Sequence, residues 1–310
     1  MLYESTDGLL YGTTISGGSS NAGTVFRLSK DGSGYVVLKS FFGTDGERPP
    51  CGLIEGDDGA LYGTTTGGGT MTFGTVYKLS KDGTNYRVLH NFAGGMDGKN
   101  PQAALIKSKD GALYGTTVFS DSATRGTLFR LDQNGSNYIV LHNFTGAPDG
   151  QSIQGKLVQG SDGALYGATG FGGNYGSGTV FKLNTDGTGY LVLLSFTGRN
   201  GDSAFPSAGL IEGSDGVFYG TTQYGGAADA GCVFAFTTAA IRPRVKALSV
   251  SSNSIIVQFS GTSGIQSEVQ RSTDLVSWTV LGTPTASIDG SFSFTDFSPP
   301  QYGFYRLKQY

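Results

Sequence analysis

Asp58-Gly59-Ala60-Leu61-Tyr62-Gly63-Thr64-Thr65 is the stretch on which the fold turns, because close copies of it recur through the first three-quarters of the 310-residue chain. The copies place a tyrosine at Tyr11, Tyr62, Tyr114, Tyr166 and Tyr219, at intervals of 51, 52, 52 and 53 residues. A period of that size marks a repeat architecture in which each unit buries its apolar faces against its neighbours. Outward from Tyr62, one unit reads as four short strands: Leu53 to Glu55, Ala60 to Thr66, Gly74 to Ser80 and Tyr86 to Phe92. Asp58-Gly59 and Lys81-Asp82-Gly83 are the tight turns between them. Such a four-stranded antiparallel meander is one blade of a β-propeller.

The other copies span Leu2 to Phe41, Leu105 to Phe144, Leu157 to Phe196 and Leu210 to Phe236, so the sequence predicts five blades over residues 1–240. The fifth copy has no Asp-Gly turn or Leu-x-x-Phe strand after Phe236, and its third strand should be shielded by the segment Thr237 to Val245 or by the domain C-terminal to that segment. The glycine of Tyr-Gly-Thr-Thr lies in mid-strand, where something must pack on the bare backbone. The aromatic that follows Gly-Thr-Val on the next strand (Phe26, Tyr77, Phe129, Phe181, Phe234) is the expected cover.

From Ile241 the period vanishes, and Ile241-Arg242-Pro243-Arg244 reads as a linker. Short alternating strands at Ile255 to Phe259, Ser267 to Ser272, Trp278 to Leu281, Ser291 to Thr295 and Phe304 to Lys308 predict a small β-sandwich over 241–310, with Trp278 as its core anchor. The fold class is therefore all-β, a five-bladed propeller followed by a small sandwich.

The units Asp-Gly-x-Leu-Tyr-Gly-Thr-Thr, Gly-Thr-Val-Phe-x-Leu and Leu-x-x-Phe together resemble the GloVer (Gloeo/Verruco) repeat of large secreted bacterial proteins, over residues 1 to about 236. The tail, with Arg271 to Trp278 and Phe304-Tyr305-Arg306-Leu307, resembles the fibronectin-III-like modules appended to such proteins. The resemblance implies an exported, cell-surface or matrix protein and supplies no catalytic residues.

A net charge of -3 with scattered Lys and Arg provides no basic stripe, which argues against nucleic acid as a partner. No run of 18 apolar residues occurs, and Met1 to Ser5 has neither a charged nor an apolar leader region, so neither a membrane span nor a signal peptide is expected. Cys51 and Cys232 fall at different repeat positions and are expected to be unpaired.

Strand alternation puts the tight Asp-Gly turns on one face. The long loops (Ser16 to Ala22, Gly67 to Phe73, Phe119 to Arg125, Phe171 to Ser177, Tyr224 to Ala230) and the interblade segments lie on the other, where function is expected. Two sets of candidates lie there. Asp45, Asp97, Asp149 and Asp202 repeat around the axis, either as turn residues or as a calcium or polyol site. Phe119, Phe171 and Tyr224 recur just after the second strand, with Phe73 and Tyr175 nearby in their loops, either packing between blades or stacking on sugar. His90 and His142 are too far apart for one metal, and no metal ligand set or other cofactor is expected. Glu4, Glu55 and Glu212 occupy equivalent positions, which suits periodic polarity better than a paired acid and base. The expected function is that of a monomeric, non-catalytic extracellular binding or adhesion module, with polysaccharide or a surface protein as partner. A glycoside-active enzyme and a structural scaffold are the alternatives.

Overall fold

A computed structural model describes residues 2–120, 125–198, 202–214, 216–226, 228–237, 244–250, 254–260, 267–284, 291–300 and 303–309. The chain forms two compact units, Met1–Ala235 and Phe236–Tyr310. The protein is all-β: the helical elements among the described residues are two short 3₁₀ turns, Gly43–Asp45 and Gly95–Asp97. No helix among them is long and apolar enough to cross a membrane.

The first unit holds five antiparallel sheets, one per repeat. In the second sheet the strands are Ile54–Glu55, Leu61–Thr65, Thr75–Leu79 and Arg87–Asn91, paired in chain order. Each residue of the repeated motif has a local task. Asp58 accepts from the backbone N–H of Ala60 at 3.0 Å and from the Tyr62 hydroxyl at 3.0 Å, and Gly59 takes the left-handed φ of 73° that closes the turn. Thr65 and Thr75 share a hydroxyl hydrogen bond of 2.9 Å across the strands. The same threonine pair recurs in the first, third and fourth sheets, and in the fifth Cys232 takes the place of the second threonine, 3.3 Å from the Thr222 hydroxyl. Cys51 and Cys232 are both unpaired, and burial pushes the Cys51 thiol up to about 11.

The strand glycines are covered as the pattern predicts. Gly12, Gly63, Gly115 and Gly167 stand opposite Phe26, Tyr77, Phe129 and Phe181. A Cβ built on Gly12 would lie 2.6 Å from the Phe26 ring, and one on Gly167 2.6 Å from the Phe181 ring. The far end of the ring thus covers the glycine, and in the second to fourth sheets the aromatic also packs into the cluster shared with the preceding sheet. Alternation then divides each sheet into two faces. Leu61, Tyr77 and Leu79 pack backward with Tyr11, Val25 and Phe41, whereas Tyr62 and Val76 pack forward with Leu105, Leu113, Phe129 and Leu131. The third junction repeats the arrangement. At the fourth, Tyr166 meets Phe218 at 4.5 Å and Phe196 meets Phe234 at 5.0 Å between ring centres.

On the tight-turn face, the second residue of each innermost strand reaches the turn of the preceding sheet. Glu55 accepts from the hydroxyls of Ser5 (2.7 Å) and Thr6 (2.6 Å), and Lys81 closes on it at 2.6 Å. Lys107 donates to Asp57, Gln159 accepts from the Lys109 backbone N–H, and Glu212 accepts from Ser161. Glu4 pairs with Lys30 within its own sheet at 2.6 Å. These carboxylates therefore join neighbouring sheets or pair with lysine and are not set against one another.

Two faces have no such cover. Leu2 is 51% exposed where its counterparts Leu53, Leu105, Leu157 and Leu210 are 5% or less, and Val233 is 73% exposed where Val76 and Val180 are fully buried. Ile211 is likewise 65% exposed. The faces that closing five sheets into a ring would press together are thus open. In the fifth sheet Cys232–Thr237 pairs the long strand Val217–Tyr224, whose other edge carries both Ile211–Glu212 and Ala204–Pro206. Most of the Thr237 to Val245 segment expected to shield the third strand lies outside the described residues.

The second unit contains two three-stranded antiparallel sheets. Arg244–Val250, Ile255–Ser260 and Ser291–Asp296 make one, and Thr279–Gly282, Ser267–Ser272 and Phe304–Gln309 the other. Arg244 is therefore not linker: it opens a strand that the sequence pattern does not place, paired with Ser260. Their shared core is Val257, Phe259 and Val269, with Phe294 and Tyr305 partly buried beside it. Trp278 is not the core anchor that composition suggests. It sits half-buried at the surface, its indole N–H donates to the Leu275 carbonyl at 3.3 Å, and the Arg306 guanidinium stacks on its ring at 3.9 Å. An indole has a polar edge and a face that attracts cations, so a rim position satisfies both.

This packing generates three expected outcomes. Gly115→Ala drives a methyl into the Phe129 ring and should lower the unfolding free energy by about 1–3 kcal/mol in urea melts, with part of the loss recovered in the double variant with Phe129→Leu. The Tyr77 hydroxyl is buried with no hydrogen-bond partner, so Tyr77→Phe should be stabilising, by about 1–2 kcal/mol. Burial raises the Glu55 pKa, but the hydrogen bonds from Lys81, Thr6 and Ser5 outweigh it and bring the carboxyl down to about 2 from its ordinary 4.5. Because the folded value is the lower one, the stability Glu55 confers is complete above pH 4.5 and is lost as pH falls toward 2. Urea midpoints of the parent should therefore fall over that window more steeply than those of Glu55→Gln, and parallel curves would refute the assignment.

Candidate functional site

The long-loop face is built where the second strand of each sheet runs out and meets the segment arriving from the preceding sheet. Glu47 bridges Gly67, Lys99 bridges Phe119 and Gln151 bridges Phe171, and in the fifth sheet the bridge grows into the strand pair Ala204↔Tyr224 and Pro206↔Thr222. The residue after each bridge has a left-handed backbone: Arg48 (φ 55°), Asn100 (φ 55°), Ser152 (φ 62°) and Phe205 (φ 56°). Each N–H is satisfied by a carbonyl of the neighbouring long loop, as in Arg48 to Ala22 at 2.7 Å and Phe205 to Ser177 at 2.9 Å. These junctions are rigid and repeat in geometry, while the side chains they carry differ.

The aromatic candidates divide by place. Phe119, Phe171, Tyr175 and Tyr224 are 51%, 41%, 51% and 51% exposed. Phe171 and Tyr224 are brought together by Phe205, whose ring lies 5.0 Å from Phe171 and 5.8 Å from Tyr224, at interplanar angles of 60° and 87°. The three form a continuous aromatic surface across the fourth junction. Among the described residues neither Phe119 nor Tyr175 makes a ring contact with the three.

Phe205 is the member that sequence reasoning missed. The signal was a phenylalanine directly before Pro206, at the position filled elsewhere by Arg48, Asn100 and Ser152. Asparagine tolerates a positive φ, but a bulky aromatic there is a true outlier, and a residue before proline ordinarily prefers extended backbone. Such strain persists only where the surroundings over-determine it, and it clusters at ligand sites.

The four aspartates serve their own loops. Each accepts a backbone N–H just beyond the outermost strand: Asp45 from Phe42 (2.8 Å), Asp97 from Ala93 (2.6 Å), Asp149 from Thr145 (2.9 Å) and Asp202 from Thr197 (2.8 Å). Asp45 also pairs with Lys39, while Asp97 and Asp149 hold His90 and His142 at 3.1 Å. Burial pushes the Asp97 and Asp149 carboxyls up, and the histidine and backbone hydrogen bonds more than offset it, holding both below the usual carboxylate range. His90 and His142 in turn stack on Tyr138 and Tyr190 of the next sheet, at 3.6 and 3.8 Å. The aspartates do not converge, and no group of three His, Cys, Asp or Glu able to hold a metal ion occurs among the described residues.

No curated protein matches the sequence. Among solved structures, a chain of the nidogen/laminin complex is similar with a TM-score of 0.50 at 16% identity, covering 76% of this chain and 78% of that one. The periplasmic gluconolactonase of Pseudomonas aeruginosa gives 0.43 at 16% identity, over 90% of this chain and 84% of that one. The exo-beta-1,3-galactanase of Phanerochaete chrysosporium, solved with galactose, gives 0.43 at 10% identity, over 95% and 88%. At these identities the first likeness speaks for a propeller-like fold and for nothing further. In sequence, residues 1–234 match the Gloeobacter/Verrucomicrobia repeat, and the chain belongs to that family.

Proposed function

We propose that the long-loop face of the first unit binds polysaccharide, and that the chain is a non-catalytic binding or adhesion module working at the cell surface or outside the cell. The observation that carries this reading is the exposed aromatic surface Phe171–Phe205–Tyr224, with a strained phenylalanine at its centre. A sugar ring presents flat patches of C–H that pack on aromatic faces, and its hydroxyls then find the polar loops around them. The ring pairs also pack on one another, which fixes the surface before a ligand arrives and limits the ordering cost of binding. The aspartates that repeat on this face, Asp97, Asp149 and Asp202, are held in loop caps, and among the described residues no second carboxylate stands beside Glu47 to form an acid-base pair, which favours binding over acid-base chemistry. The second unit, with its two small sheets, fits a fibronectin-III-like spacer.

Affinity electrophoresis through gels cast with a panel of soluble polysaccharides tests the reading on the whole chain. At least one polymer should retard the parent protein, and Phe205→Ala and Tyr224→Ala should each weaken that retention about tenfold, or ~1.4 kcal/mol. Reducing-end assays on the same polymers should register no chain-dependent cleavage. Retention that ignores both substitutions would remove the aromatic surface from the site, and chain-dependent cleavage would favour the glycoside-active alternative.

A further inference from the structure

The junction of the first and second sheets breaks the repeat in a way the others do not. Where the third, fourth and fifth sheets carry Phe119, Phe171 and Tyr224, the second carries Gly67, and a cavity of about 450 Å³ opens there. Its walls include Thr44, Glu47, Arg48, Thr66 and Thr72 besides Gly67. Backbone and small side chains are tied to one another: Glu47 and Gly67 exchange hydrogen bonds of 2.8 and 3.0 Å, the Gly69 N–H donates to the Gly43 carbonyl at 2.9 Å, the Thr66 hydroxyl donates to the Arg48 carbonyl at 3.0 Å, and the Asn100 amide donates to the Thr66 carbonyl at 2.7 Å. The two charged side chains are not. Among the described residues, neither the Glu47 carboxylate nor the Arg48 guanidinium has a hydrogen-bond or ion-pair partner.

From these features we infer that this cavity is a second, separate sugar subsite, which takes one neutral hexose-sized unit. The inference rests on the reading of the long-loop face as a polysaccharide-binding surface. The cavity has the volume of a small-ligand site and fixed walls. Its one carboxylate and one guanidinium cancel in charge, so it selects neither an anion nor a cation. Between them they offer acceptors and donors for vicinal hydroxyls. Glycine backbone on the wall lets a ring approach closely. The fourth-junction rings would bind a chain by its faces, whereas this cavity would hold a single residue by its hydroxyls.

The repeat itself supplies the test. Gly67 has no left-handed φ, and a Cβ there would meet Glu47 at an ordinary 3.7 Å, so Gly67→Phe restores the side chain of the third and fourth sheets and fills the cavity. Ligand-observed NMR with neutral hexoses, glucuronate and glucosamine should detect millimolar binding of at least one neutral hexose to the parent chain. Gly67→Phe should weaken it about tenfold or more, and Phe205→Ala should leave it within about twofold. Should Gly67→Phe fail to fold by circular dichroism, Glu47→Gln and Arg48→Ala are expected to give the same loss. Hexose binding that survives these substitutions, preference for glucuronate or glucosamine, or no hexose binding at all would overturn the subsite. Polymer retention that remains sensitive to Phe205→Ala would in that case leave the aromatic surface standing, whereas insensitivity there would remove the reading on which both rest.

Discussion

The contact between a strand glycine and the aromatic across from it governs the first unit. Because Gly63 and its equivalents have no side chain, the end of the Tyr77 or phenylalanine ring can close over the strand while the same side chain packs with the preceding sheet. A side chain at that point would lift the ring and separate the sheets. The neighbouring residues obey the same demand: Asp58 fixes the turn and anchors Tyr62, and the Thr65–Thr75 pair locks the other end of the same two strands. A motif of eight residues recurs because a single mode of sheet stacking recurs.

A scaffold so uniform confines variation to positions that the stacking does not use. The left-handed residue at each junction is held by the same backbone hydrogen bond whatever its side chain, so arginine, asparagine, serine and phenylalanine all occur there, and only some of them, such as Asn100 with its amide on the Thr66 carbonyl, add a side-chain tie. The same holds for the position facing it, glycine in one sheet and aromatic in three others. Departures from the repeat at these paired positions are what produce a cavity at one junction and an aromatic surface at another.

Charge has been put to a different use. The acidic groups that recur with the repeat are clips and caps. Glu55 and Glu212 tie a strand to the turn of the sheet before it, and Asp97 and Asp149 close the loop after the outermost strand while orienting a histidine against the next tyrosine. The unpaired Glu47 and Arg48 stand out against this background.

The sequence by itself determined the period, the limits of the strands it placed to within about a residue, the glycine cover and the separation of the two cysteines, because each depends on local alternation or on spacing along the chain. It did not place the strands Ala204–Pro206 and Arg244–Val250. It also placed Phe171 and Tyr224 on the correct face. Only the tertiary structure decided that Phe205 joins them, since the approach of an interblade segment to the end of a strand more than a dozen residues away is set by sheet stacking. It alone supplied the hydrogen-bond partners of the aspartates, which by sequence are either turn residues or a calcium or polyol site, and moved Trp278 from core to rim, because a hydrogen-bond partner is a matter of geometry that residue type leaves open. Whether the first and last sheets meet likewise depends on the angle accumulated at each junction. Side-chain volumes at those junctions set that angle, and a repeat count does not contain it.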